Sequence, residues 1–338
     1  MPKLRLNKIL YPGIVVVLLL CVVVQAQNKP AEVPSALKGL LGEYVLGDEI
    51  VCILEQDGTL FIREKSGRQS ALRGEGDRTF RIEGVSSSNV ACVFERERNG
   101  PAISVMIGGR SYRRILYGGE NGESFRIKPL KAASLLRQEA LKAVPPRESG
   151  SFLRSDLVEL TRLDSTIRLD VRYATTNNFM GEKFYSQARA FLQRPAAEAL
   201  VRVQRSLRKL GYSLLIHDAY RPWYVTKMFW DATPQAQKEF VADPSKGSRH
   251  NRGCAVDLSL FDLKDGRPVD MVSGYDEFSH RAYPEYLGGT TLQRWHRSLL
   301  RREMEAEGFK VFESEWWHFD YRDWKQYTIG TATFEELQ

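Results

Sequence analysis

Pro145-Pro146 stops a helical run, KAASLLRQEALKAV at residues 131–144, and separates two halves of the chain with different rhythms. Proline lacks the N–H that a helix interior requires and its ring clashes with the preceding turn, so the helix cannot pass this point. Before the break, residues 37–130 alternate β-type runs (GEYVL, EIVCIL, TLFIRE, NVACVFE, ISVMIGG) with glycine-bearing turns such as QDG and RNG. Short strands spaced this way predict an antiparallel meander closed into a small barrel or sandwich. After the break, two helical patterns, AEALVRVQRSLRKLG and TLQRWHRSLLRREMEAEG, each end on glycine and mix with β runs SLLIHDAY, CAVDLSLF and WHFDY. The expected fold class is therefore α+β, a small mostly antiparallel sheet with helices, preceded by an all-β barrel-like or sandwich domain. The expected divisions are a signal segment at 1–26, the β domain at 37–130, helix and linker at 131–151, and the mixed domain at 152–338. With 338 residues, 43% of them hydrophobic, the chain can bury about two cores.

The first 26 residues carry Lys3, Arg5 and Lys8, then an apolar run over residues 14–24, then Val24-Gln25-Ala26. This order predicts a secretory signal cleaved after Ala26. The apolar run is short of the about 20 residues a bilayer core needs, so no membrane span is expected after cleavage. The expected location is exported, in a periplasm or at a cell surface. Losing Lys3, Arg5 and Lys8 lowers the net charge from +7 to +4, and no Lys/Arg stripe interleaves with aromatics, which argues against a nucleic-acid partner. In an oxidising compartment Cys52 and Cys92 could pair, with two buried free thiols as the alternative. No CxxC occurs, which excludes a thiolate zinc ribbon.

In CAVDLSL, alternation sends Cys254, Val256, Leu258 and Leu260 to one face, and Ala255, Asp257 and Ser259 to the other. The apolar set is the core face, so Asp257 projects from the opposite one among small neighbours. His250 lies just before this strand, and Gly253 lets the backbone fold His250 over Asp257. Near the C-terminus, ESEWWHFDY places Trp316, His318 and Asp320 on one face of a second strand. Two histidines and an aspartate make a three-ligand zinc set with a fourth position open for water, and Glu315 is a candidate base for that water. On an uninterrupted strand Glu315 and His318, three apart, would face opposite sides. A break is therefore predicted there: either the chain bends between them or Glu315 sits in the preceding turn. The helical HExxH zinc motif is missing.

These motifs resemble those of the zinc D-alanyl-D-alanine dipeptidases of the VanX type and the related peptidoglycan DD- and LD-carboxypeptidases. The pattern SxHxxGxAxD is met at Ser248, His250, Gly253, Ala255 and Asp257, and ExWWH at Glu315 to His318. Upstream, RYATxxNFxGxxxY is met at Arg172-Tyr173-Ala174-Thr175, Asn178, Phe179, Gly181 and Tyr185, and DAYRP at Asp218 to Pro222. The resemblance covers roughly residues 152–328. It implies one zinc ion per chain on His250, Asp257 and His318, Glu315 as general base and then acid, and Arg221 as the group that stabilises the tetrahedral intermediate. It also implies Asp276, in SGYDEF, as the group that meets the substrate ammonium, with Ser248 and Tyr173 as further pocket residues. The run Ser273-Gly274-Tyr275 departs from the family pattern at this point. The implied reaction is hydrolysis of D-Ala-D-Ala to two D-alanines, the alternative being a DD- or LD-carboxypeptidase or endopeptidase acting on longer peptidoglycan peptides. A non-catalytic wall-binding protein is the reading from another class. The residues leave the oligomeric state open.

Overall fold

The structure, a computed structural model, describes residues 28–84, 90–97, 100–118 and 124–337. The expected signal segment and Cys21 lie outside the described residues.

A short helix α1 (Ser35–Lys38) leads into eight strands, β1 (Gly42–Leu46), β2 (Glu49–Gln56), β3 (Thr59–Glu64), β4 (Gln69–Gly74), β5 (Thr79–Ile82), β6 (Ala91–Arg96), β7 (Ala102–Ile107) and β8 (Arg110–Arg114). Each pairs antiparallel with the next, and β8 returns to β1 through Tyr44↔Arg114 and Val45↔Arg113, so the meander closes as a barrel without free edges. The β2–β3 hairpin turns at Asp57-Gly58, both with positive φ (49° and 85°), the geometry of a tight turn that matches strand twist. Tyr44, Ile53, Ile62, Phe80, Cys92, Phe94 and Val105 fill the interior. Alternation along β2 turns Cys52 outward, where its Sγ lies 3.8 Å from Tyr286 Oη, while Cys92 is fully buried inside. The two thiols sit on opposite faces of the barrel wall and are both free, which rules out the disulfide considered above.

Helix α2 (Ala133–Lys142) ends before Pro145-Pro146. The remaining strands are β9 (Leu157–Glu159), β10 (Arg168–Leu169), β11 (Phe191–Gln193), β12 (Tyr212–Asp218), β13 (Ala255–Asp262), β14 (Arg267–Pro268), β15 (Phe309–Phe312) and β16 (Glu315–Tyr321). The main sheet has the order β10-β12-β13-β16-β15, with β14 on β13. Only β10 and β12 are parallel; the rest pair antiparallel. The helices are α3 (Leu160–Leu163), α4 (Arg194–Lys209), α5 (Trp223–Ala232) and α6 (Thr291–Ala306). Gly211 and Gly308, at φ +86° and +88°, follow the ends of α4 and α6, where a left-handed residue closes a helix. At its other end α6 carries a reciprocal cap, Gln293 N donating to Thr290 Oγ1 (3.0 Å) and Thr290 N to Gln293 Oε1 (2.8 Å). Cys254, Val256, Leu258 and Leu260 are fully buried in the core that α4 and α6 cover. Asp257 faces the other way, into the site.

Candidate active site

Strands β13 and β16 are neighbours, and their register sets Asp257 opposite His318. A one-turn 3-10 segment, His250–Arg252, precedes β13 and ends at Gly253 with φ +67°, which returns His250 to the same place. Little else fits at that glycine: a Cβ there would meet Leu157 Cδ2 at 2.4 Å. The break expected between Glu315 and His318 is a bulge. Val311 pairs with Phe319 but Phe312 pairs with Glu315, so the residues between them leave the ladder. The bulge undoes the alternation that would separate the two, and Glu315 Oε2 lies 3.7 Å from His318 Nδ1.

The structure brings His250, Asp257 and His318 together. His250 Nε2 lies 3.1 Å from His318 Nδ1 and 3.3 Å from Asp257 Oδ1, and His318 Nδ1 lies 3.0 Å from the same Oδ1. Atoms that ligate one tetrahedral ion at about 2.0–2.2 Å stand roughly 3.3 Å apart, which this triangle matches. The far nitrogen of each ring is anchored: His250 Nδ1 donates to Ala219 O (2.7 Å), and His318 Nε2 donates to Asp320 Oδ1 (3.0 Å). Such anchors fix the tautomer, leaving His250 Nε2 and His318 Nδ1 to ligate. Asp257 Oδ2 accepts from Tyr275 Oη (3.0 Å), whereas Oδ1 is buried without a hydrogen-bond partner among the described residues. A buried carboxylate oxygen left in this way, aimed between two imidazole nitrogens, is what a metal ligand requires. The three residues fit zinc.

The charges point the same way. Burial favours the neutral form of Asp257, yet His250 and His318 hold its carboxyl well below the usual range. Burial lowers the His318 imidazole, but Asp320 and Asp257 outweigh it and push it up to about 10. The triangle therefore demands a positive charge. Glu315 is raised by burial to about 7, with His318 opposing.

Arg221 lies beside this centre. Its Nε and Nη2 both donate to Asp218 Oδ2 (2.8 and 2.7 Å), and Tyr185 Oη holds the other oxygen of Asp218 (2.8 Å). The guanidinium also packs over the rings of Phe229 and Tyr173, 4.9 and 5.2 Å from their centroids. Burial opposes its charge, but Asp218 and neighbouring groups keep it firmly protonated. Asp276 occupies the left-handed region at φ +58°, which aspartate tolerates better than most residues, and its Oδ2 accepts from Tyr173 Oη (2.8 Å). Burial, with Asp257 nearby, raises its carboxyl well above the usual range, so its ionised form needs a cation. Ser248 Oγ accepts from His250 N (3.2 Å) and so helps to place a ligand.

His250, Asp257, His318, Glu315, Arg221, Asp276, Tyr173 and Ser248 all line one pocket of about 140 Å³, walled by Phe179, Phe240, Phe278 and Phe312. Three further residues act here through others: Asp218 on Arg221, Asp320 on His318, and Tyr275 on Asp257. Asp218 lies in DAYRP and Asp320 shares the His318 face, so both had a signal in the sequence. Tyr275 had only its place next to Asp276.

A family model described as D-ala-D-ala dipeptidase matches residues 154–334. Over 180 residues the chain is 34% identical to a D-alanyl-D-alanine dipeptidase of Escherichia coli, covering 53% of this chain and 92% of that protein. It is 32% identical over 178 residues to one from Enterococcus faecalis (46% and 87% covered). One from Streptomyces coelicolor is 29% identical over 189 residues (51% and 94% covered).

Proposed function

The chain belongs to the D-ala-D-ala dipeptidase family, and from that premise we propose that it hydrolyses D-Ala-D-Ala to two D-alanines, with one zinc ion held by His250, Asp257 and His318. The observation that carries this reading is the size and polarity of the pocket. About 140 Å³ is well under the roughly 300 Å³ at which drug-sized sites begin, and it joins the metal triangle to a buried carboxylate, Asp276. A free dipeptide presents a cation to that carboxylate; an acylated stem peptide does not.

When bound, zinc supplies Lewis acidity, polarising the scissile carbonyl and making a water easier to deprotonate. Glu315 takes the proton from the attacking water and returns it to the leaving amine, so that water and peptide give one carboxylate and one ammonium. Its raised carboxyl suits both halves of that transfer. Arg221, fixed by Asp218, donates to the oxyanion that develops on the attacked carbonyl, a charge that the ground state lacks. Asp276 and Tyr173 receive the substrate ammonium, and Ser248 steadies His250. The N-terminal segment supports action outside the cytoplasm, in a periplasm or at a cell surface.

The test is turnover of D-Ala-D-Ala against N-acetyl-D-Ala-D-Ala. Leaving a buried carboxylate unpaired is worth ~2 kcal/mol or more, so the free dipeptide is expected to be preferred by roughly thirtyfold in kcat/KM. Preference for the acylated compound overturns this reading and supports the carboxypeptidase alternative.

A further inference from the structure

The barrel strands, residues 42–114, lie wholly before the family match, which begins at residue 154. They nevertheless meet the segment that carries Asp276. His280 Nε2 lies 2.7 Å from Glu43 Oε1, and Tyr286 Oη donates to the same oxygen (3.1 Å), while Tyr117 Oη donates to Oε2. Glu43 is 4% exposed, so these contacts hold a buried carboxylate at the junction. Further along, Glu55 N donates to Gly289 O (3.0 Å), Thr291 N to Glu55 Oε2 (2.8 Å), and Arg294 Nη2 to Glu55 O (2.7 Å). Two barrel strands thus grip residues 280–294 at both ends.

The grip continues to Asp276. Next to His280, Ser279 Oγ donates to Glu277 Oε1 (2.6 Å), and Gly274 N donates to Glu277 Oε2 (3.3 Å). Glu277 is 2% exposed and adjoins Asp276 in the chain. Residues 271–275 also border a cavity of about 410 Å³, lined on the barrel side by Lys38, Leu41, Gly42 and Arg114. Met271, Val272 and Tyr275 pack into the core and Phe278 lies against Phe179 and Phe240, and the polar ties to the barrel add to that packing at the 276–280 end, where Asp276 sits at φ +58°.

We propose that the barrel is an intramolecular clamp for substrate binding: Glu43, through His280, is a positioning residue that holds the 273–280 loop and Asp276 in the geometry that meets the dipeptide ammonium. This rests on the reading of Asp276 given above. The clamp acts on binding: Glu43 and His280 touch none of the metal triangle, Glu315 or Arg221, and the loop reaches the triangle only through Tyr275 Oη on Asp257 (3.0 Å).

The test uses the full zinc-loaded chain and two variants, His280→Ala, which leaves the barrel intact, and Glu43→Gln, which keeps an acceptor for His280. Amide hydrogen exchange over residues 273–286 and the kinetics of D-Ala-D-Ala hydrolysis are measured together. In His280→Ala exchange in this stretch is expected to accelerate and KM to rise about tenfold, the equivalent of ~1.4 kcal/mol. Here kcat stays within about twofold and zinc remains stoichiometric, and Glu43→Gln retains most of the wild-type KM. Unchanged exchange in His280→Ala overturns the clamp, as does faster exchange with an unchanged KM, or a fall in kcat alone. If the wild-type chain does not cleave the dipeptide, the functional reading fails, and the exchange data still decide whether the barrel holds the loop.

Discussion

Asp320→Asn probes the site through a residue that touches neither substrate nor metal. Asp320 Oδ1 accepts from His318 Nε2 at 3.0 Å, and its other oxygen lies 3.4 Å from Arg249 Nε. The carboxylate does two things: it fixes the ring so that Nδ1 faces Asp257 and His250, and it enriches that nitrogen as a ligand. Asparagine can keep an acceptor against His318 but supplies no charge. Losing the carboxylate behind a metal-bound histidine weakens metal affinity by about 10- to 100-fold, or ~1.4 to 2.8 kcal/mol. Because Asn retains one neutral hydrogen bond, the lower end is expected for Asp320→Asn and the upper end for Asp320→Ala. Competition between protein and a chromophoric chelator for zinc measures this directly. With zinc saturating, the Asn variant should recover most of its activity. Zinc affinity equal to wild type in Asp320→Ala would refute the assignment of His318 Nδ1 as a ligand oriented by Asp320.

Arg221→Lys keeps the charge but loses the planar fork that Asp218 holds, and should lower kcat by about 10²-fold or more with zinc content unchanged; equal kcat would remove Arg221 from oxyanion stabilisation. The Glu43–His280 tie also predicts a pH window for stability. The hydrogen bond to Glu43 raises His280, against burial and the nearby Arg281, so its contribution is complete below about pH 6.5 and fades as pH climbs through the raised value. Burial raises Glu43, but bonds from His280 and Tyr117 leave it below its ordinary value of about 4.5, so its contribution is complete above that pH and fades in acid. The Tm difference between wild type and His280→Ala should therefore peak between about pH 4.5 and 6.5, and a flat difference from pH 4 to 9 would contradict the tie. Alkylation of the unfolded chain without reductant should label Cys52, Cys92 and Cys254, and protection of Cys52 and Cys92 would contradict their separation across the barrel wall.

The chemistry was more legible in the sequence than its supports. Alternation in CAVDLSL gave the direction of Asp257 because a strand with one apolar face leaves the other little freedom. The three-residue spacing of Glu315 and His318 was informative because it conflicted with a regular strand, and the conflict located the bulge. Gly211 and Gly308 marked helix ends by backbone chemistry alone. What the sequence did not reveal depends on contacts across long separations. The Asp257↔His318 register joins strands with α6 between them, and Glu43 meets His280 across 237 residues. Cys52 and Cys92 both lie in strands, and only closure of the barrel shows which one points inward. Tyr275 gave no sign of its bond to Asp257, since one tyrosine in a loop looks like another until the fold brings it to a partner.

The central claim is tested most directly by D-alanine release from D-Ala-D-Ala with the zinc-loaded protein and with Glu315→Gln in parallel. The account predicts release by the wild type and a loss of at least about 10³-fold in the variant, with zinc still stoichiometric in both. Wild-type-like release by Glu315→Gln would contradict the role of Glu315, and no release by the zinc-loaded wild type would contradict the dipeptidase reading itself.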